Sequence, residues 1–210
     1  MATNADYGDV MEARSKESLP QSLLEAVAVR ELHYKTTSPD WQEGSTEPWV
    51  VNVLAALVIA INARTVVEIG GFVGYASTRL ANALERLGGG ELTVCEIEPE
   101  RALLVQTALE ELRLAHATYR VVQDDSLLWA PTLAEESVDF AWIDGDHTQT
   151  HVAQEIELLL PKMRRGGLVC GHDVHGVCRL DEVFARFPNS ISLDLPRLGP
   201  AGGLGIIQCR

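Results

Sequence analysis

Two apolar runs in this sequence end in acids and a histidine: Asp139-Phe-Ala-Trp-Ile-Asp-Gly-Asp-His147 and Gly166-Gly-Leu-Val-Cys-Gly-His-Asp173. If the two runs are neighbouring strands, Asp144, His172 and Asp173 meet at one sheet edge. Carboxylates held that close repel each other unless one is protonated or a cation lies between them. Hard carboxylates suit Mg²⁺, and an imidazole in the set shifts the preference towards Mn²⁺, Fe²⁺ or Zn²⁺. The competing reading has His172 and Asp173 bonded to each other, capping the strand end. His147, three residues beyond Asp144, is a candidate base, because a neutral imidazole accepts protons near pH 7. His151, four residues after His147, and His175, three after His172, could together suggest a zinc site, but H-x-x-x-H without a glutamate base is a weak motif. They read as a surface residue and a loop residue at a pocket rim. His33 and His116 carry no pattern.

A second constellation lies upstream, at Val66-Val-Glu-Ile-Gly-Gly-Phe-Val-Gly-Tyr75. A β-branched run, a glycine-rich turn and a helical stretch open a nucleotide-binding α/β unit, because glycines allow a tight turn and close ligand approach. The glycines stand at Gly70, Gly71 and Gly74, with Phe72 between them, so the dinucleotide fingerprint G-x-G-x-x-G fails. Glu68 just before them would repel a pyrophosphate but can hold an amine. Glu96, roughly twenty residues beyond Gly74, ends the next strand-like run and offers two acceptor oxygens to a ribose diol. Further on, Val121-Val-Gln-Asp-Asp-Ser126 ends in Asp125 and Ser126, which also read as helix caps.

These residues need a scaffold, and the pattern supplies one. Strands are expected at 65–69, 91–96, 118–123, 138–143 and 167–172. Helices are expected at 47–63, 76–87, 99–114, 148–162 and 179–187. Such alternation implies a parallel sheet covered on both faces, built with right-handed crossovers. At the end, 190–195 and 204–209 read as a hairpin-like pair at a sheet edge. At the start, Leu19–His33 reads as helical, and 36–48, with Trp41, as a lid-like loop or a plain connector. Two units follow: a helical cap and lid-like loop over 1–48, and the nucleotide-binding domain over 49–210.

The whole chain narrows the function classes. Its 210 residues carry a formal net charge of −13 and no dense Lys/Arg cluster, so nucleic acid and anionic membrane are poor partners. The longest apolar stretch, Val53–Ile61, is too short to span a bilayer. Met1–Ser18 has no signal-peptide core, and the four cysteines form no C-x-x-C pair; three of them lie in apolar strand-like runs. The expectation is a cytoplasmic protein with buried reduced thiols.

Taken together and in this order, the four motifs resemble the class I S-adenosylmethionine (SAM)-dependent methyltransferases. Within them, I-D-G-D-H, a helix and then G-G-L-V-C-G-H-D resemble the small methyltransferase-24 type. That type is related to the catechol and caffeoyl-CoA, antibiotic-tailoring and sugar O-methyltransferases. The resemblance covers residues 50–210. It implies a Rossmann-like α/β fold with a mostly parallel seven-stranded sheet, an antiparallel C-terminal strand and an N-terminal helical cap. It implies O-methylation of a small-molecule hydroxyl (phenol, sugar or secondary metabolite) with SAM as methyl donor, and Mg²⁺ or Mn²⁺ as a further cofactor. By position, Glu68 and the Gly70, Gly71 and Gly74 loop would hold the methionine end, Glu96 the ribose, and Asp125 and Ser126 the adenine. Asp144 would serve catalysis, cofactor and metal; His172 and Asp173 would complete the metal set, although relatives carry Asp-Asn or Glu-Asp there. His147 stands where catechol-type enzymes place a catalytic lysine. A homodimer is compatible with this reading. The alternatives are an NAD(P)-binding oxidoreductase of similar topology and a SAM-binding regulatory subunit without catalysis.

Overall fold

A computed structural model describes residues 44–193 and 201–210. The expected helix Leu19–His33 and Trp41 lie outside the described residues. Seven strands form one sheet: β1 (Thr65–Ile69), β2 (Gly90–Glu96), β3 (Ala117–Gln123), β4 (Val138–Ile143), β5 (Met163–Gly176), β6 (Ser190–Leu193) and β7 (Ala201–Gln208). The spatial order is β3-β2-β1-β4-β5-β7-β6. Strands β1 to β5 are parallel, whereas β7 runs antiparallel between β5 and β6. The C-terminal hairpin therefore forms at a sheet edge, with its second strand inserted against β5.

Helices cover both faces. α1 (Pro48–Ala60) and α3 (Pro99–Glu111) each begin with proline, whose missing N–H costs nothing in a first turn. α2 (Tyr75–Arg86) is amphipathic and buries Leu80, Ala81, Ala83 and Leu84. With α1 and α3 it packs on Val66, Phe140 and Trp142. α5 (Gln149–Leu159) and α6 (Asp181–Phe184) pack on the other face, against Val67, Ile69, Ala141 and Ile143. The alternation of strand residues between two cores is the period-two consequence of the pleat. A short helix α4 (Ser126–Trp129), which the sequence pattern had not separated, follows β3 directly. The helix expected at 179–187 shortens to α6, and β5 extends past 172 to Gly176. His175 accordingly lies in β5, not in a loop.

The sheet's topological reversal falls between β1 and β4, because the chain runs outward through β2 and β3 before returning. In open α/β sheets, ligands bind in the crevice at that point. Here the carboxyl ends are stitched together: Asp144 N–H donates to the Ile69 carbonyl at 2.8 Å, joining β4 to β1, and Gly70 N–H to that of Cys95 at 2.9 Å, joining β1 to β2. Gly70 has φ +84°, and a Cβ there would lie 2.4 Å from the Asp144 carbonyl oxygen. This glycine is required by the approach of the β4 loop as well as by any ligand.

Candidate active site

The carboxyl ends of β4 and β5 bring Asp144, His147, His172 and Asp173 together, and α1's entry adds two residues that the sequence reading had not assigned. Thr46 donates its hydroxyl to Asp144 Oδ2 at 2.6 Å. Glu47, buried at the N-cap of α1, does not cap the helix; its Oε2 pairs with His172 Nε2. The other ring nitrogen, Nδ1, lies 3.0 Å from Asp144 Oδ1 and 3.4 Å from Asp173 Oδ1. An imidazole facing carboxylates through both nitrogens must donate from both, so it is an imidazolium. Burial works against that charge, but Asp144 and the contact to Glu47 outweigh it and lift His172 well above its ordinary value. Burial likewise pushes Asp144 up, yet the His172 charge and the contacts with His147 and His172 hold it well below the usual carboxylate range. The indole of Trp142, wholly buried, lies tilted beneath the His172 ring with centroids 5.9 Å apart.

His147 sits above this floor with its side chain 37% exposed. Its Nε2 is 3.4 Å from Asp144 Oδ1 and its Nδ1 3.0 Å from Asp173 Oδ2. Contact with Asp144, then with Asp173, raises His147 to about 10 against partial burial. Asp173 reaches it because the β5–β7 ladder is irregular between His172 and His175, and Asp173 adopts φ +52° there. A bulge of this kind re-aims a side chain that a regular strand would turn away.

Two adjoining cavities share Gly70, Phe72, Arg101, Asp144 and Gly145 and so form one cleft along the sheet edge. Glu68 and His147 line one end; Glu96, Asp125 and Ser126 line the other. Glu68 is buried beneath the turn, and its Oε2 has no hydrogen-bond partner among the described residues. Burial pushes this carboxyl well up, Ser77 opposes that, and the Asp144 and Glu96 charges add to it. Glu96 Oε2 accepts the backbone N–H of Gly71 at 2.9 Å and of Phe72 at 3.0 Å, so this acid also holds the glycine turn in shape. Asp125 accepts Leu127 N–H at 2.8 Å and caps α4, the alternative noted for it in the sequence.

A methyltransferase-domain family model matches residues 67–174, just over half of the chain and the whole span from Glu68 to Asp173. The chain belongs to this methyltransferase family. A candidate O-methyltransferase from Mycobacterium sp. (strain JLS) is 25% identical over 166 residues, covering 78% of this chain and 70% of that protein. The O-methyltransferase from Bacillus cereus in complex with SAH superposes with a TM-score of 0.64 at 22% identity, covering 95% of this chain and 96% of the other. TomG from Streptomyces achromogenes, an O-methyltransferase involved in tomaymycin synthesis, in complex with SAM, gives 0.64 at 21% identity over 100% of both chains. These structural likenesses establish the methyltransferase fold.

For this methyltransferase domain, the cleft fits the donor that the family implies. The unpartnered oxygen of Glu68 suits an α-ammonium, which would offset the cost of a buried, unsatisfied acceptor. The metal set Asp144, His172 and Asp173 fits less well. A ligating imidazole must present a lone pair, and both His172 nitrogens face carboxylates. Among the described residues, the donors that converge are instead those of His147, Asp173 and Cys178, all within 4.8 Å of one another. Burial and the Asp173 charge push the Cys178 thiol up, away from the thiolate that binds metals. Thr46 and Glu47 gave no sequence signal, because they precede a helix in a turn-rich stretch. Glu155 did leave one: it stands on the buried stripe of Val152, Ile156 and Leu159. His151, expected at the surface, lines the cleft beside it.

Proposed function

We propose that this protein transfers the methyl group of SAM to the hydroxyl oxygen of a small molecule, with phenol-type acceptors preferred. The observation that carries this reading is the single cleft running from the unpartnered Oε2 of Glu68 to Glu96, with Asp144 and His147 at its wall and His172 buried against Asp144. When bound, SAM supplies an electrophilic methyl on a sulfonium. Glu68 takes its ammonium, the Gly70–Gly74 turn lies along its backbone-like end, and Glu96 accepts from the ribose hydroxyls. Asp125 and Ser126 border the base. The acceptor oxygen would form a C–O bond as the C–S bond breaks, its proton would leave to the neutral fraction of His147, and the products would be the methyl ether and S-adenosylhomocysteine. Positioning does most of this work, since the attack is in line and the nucleophile must be deprotonated.

A phenol is a far stronger acid than an aliphatic alcohol and gives up its proton more readily to an imidazole base. His172, paired with Glu47 and Asp144, offsets part of the carboxylate charge that a divalent cation would otherwise neutralise. The acidic surface of the chain agrees with a small neutral or cationic acceptor rather than a polyanion.

Calorimetry with SAH and NADH, followed by a label-transfer assay from methyl-labelled SAM onto a panel of phenols and sugars, tests the proposal. SAH binding with label on phenols supports it. NADH binding without SAH binding would return the oxidoreductase, and SAH binding with no label on any acceptor would favour a regulatory subunit.

A further inference from the structure

At the far end of the cleft, Ser126, His151 and Glu155 form a closed polar cluster. Ser126 donates its hydroxyl to Glu155 Oε1 at 2.6 Å, and His151 Nε2 lies 3.1 Å from the same oxygen. Ser126 Oγ and His151 Nε2 are 3.3 Å apart. Glu155 is wholly buried on α5, and its Oε2 has no partner among the described residues. His151 keeps 27% of its side chain exposed and lines the cleft with Ser126 and Glu96.

These types could suggest a nucleophilic relay, but the geometry argues otherwise. The serine hydroxyl is spent on the carboxylate, so His151 cannot draw its proton. Glu155 also interrupts an apolar helix stripe. Burying an acid there without full partnering is costly, and such a cost persists where a ligand or a neighbour uses it. With Glu155 accepting from Nε2–H, the ring's remaining acceptor is Nδ1. His151 lines the cleft, so this tautomer suits a ligand donor, such as the exocyclic amine of a purine. A purine with an oxo group at the same place would face acceptor with acceptor.

We infer that His151 reads the amino edge of the cofactor's adenine, with Glu155 and Ser126 as positioning residues that fix its ring and tautomer. The inference deepens the proposed function and rests on SAM being the donor. It assigns base selection to α5, beyond the acid and serine after β3, and it explains why Asp125 is free to cap α4.

The test compares dissociation constants for SAH and S-inosylhomocysteine, in which the amine is replaced by an oxo group. The wild-type protein is expected to prefer SAH at least tenfold, because a site built around a ligand's hydrogen-bonding group rejects the analogue lacking it. In Glu155→Gln the carboxamide can present its N–H₂ to Nε2, the tautomer is no longer fixed, and the preference falls below threefold. His151→Ala, which removes no buried charge, should do the same if Glu155→Gln does not fold. An unchanged preference in a folded variant, or an equal loss for both ligands, overturns the inference. Failure of the wild-type protein to bind SAH at all overturns it together with the cofactor reading, whereas SAH binding with no preference overturns it alone.

Discussion

Glu47 and His172, 125 positions apart in the chain, share a buried hydrogen bond beside Asp144, which lines the cleft. The contact ties the segment entering α1 to the end of β5, and through His172 Nδ1 to Asp144. Glu47 is thus the outer anchor of a carboxylate–imidazolium–carboxylate chain. Glu47→Gln keeps the shape but removes one of the three carboxylates that face His172. We expect a several-fold loss of methyl transfer with SAH affinity within about twofold, measured by initial rates and calorimetry on the same preparations. Equal losses in both would instead give Glu47 a role in folding the cleft.

The acid beneath the glycine turn makes a separate prediction. Hydrogen bonds to charged groups contribute about 1.5–3 kcal/mol, so Glu68→Gln should weaken SAH by roughly one to two orders of magnitude. Because Glu68 is buried with an unpartnered oxygen, the same change should leave thermal stability unchanged or raise it. A wild-type dissociation constant in Glu68→Gln would move the ammonium elsewhere.

The rate should climb with pH. His147 has its folded value raised to about 10 from an ordinary 6.5. Below about 10 it carries a proton and cannot accept another. Each unit of pH multiplies the neutral fraction about tenfold, so initial rates should rise from pH 6.5 towards the alkaline limit and level off near 10. His147→Gln should flatten the profile. The stability contribution has the opposite direction: the raised imidazole stabilises the fold fully below 6.5 and ceases to as pH rises through about 10. Asp144, held below its ordinary 3.8, stabilises above that value and loses its effect in acid.

Trp142 lies wholly buried under His172. Trp142→Ala should cost about 3–5 kcal/mol of stability. Trp142→Phe should cost less while still loosening His172, so its rate should fall more than its melting temperature predicts.

Much of this was legible in the sequence, for identifiable reasons. β1 to β4 appear as short β-branched or apolar runs between helical stretches, and their ends fell within a residue or two of the expected positions. Glu68, Glu96 and Asp144 sit at or beside the carboxyl ends of β1, β2 and β4, where a parallel sheet must gather them, and His172 lies level with them within β5. What stayed hidden depended on long-range packing. Nothing local to Glu47 points to His172. The left-handed turn at Asp173, which aims its carboxylate at His147, arises from an irregular β5–β7 pairing. Gly70 was read as a ligand contact, but it equally admits the Asp144 backbone. His151 was expected at the surface, although an acid, Glu155, on the apolar stripe of α5 was the available sign of a polar cluster there.

With His172 offsetting Glu47 and Asp144, methyl transfer at this site is expected to need no divalent cation. Initial rates of methyl transfer to a phenol, measured after exhaustive EDTA treatment and again with added Mg²⁺ or Mn²⁺, decide it. Full activity in EDTA is expected, with no gain from either ion and a sharp loss in His172→Ala while SAH binding is preserved. Activity that disappears on chelation and returns with Mg²⁺ or Mn²⁺ would show instead that a cation serves the site.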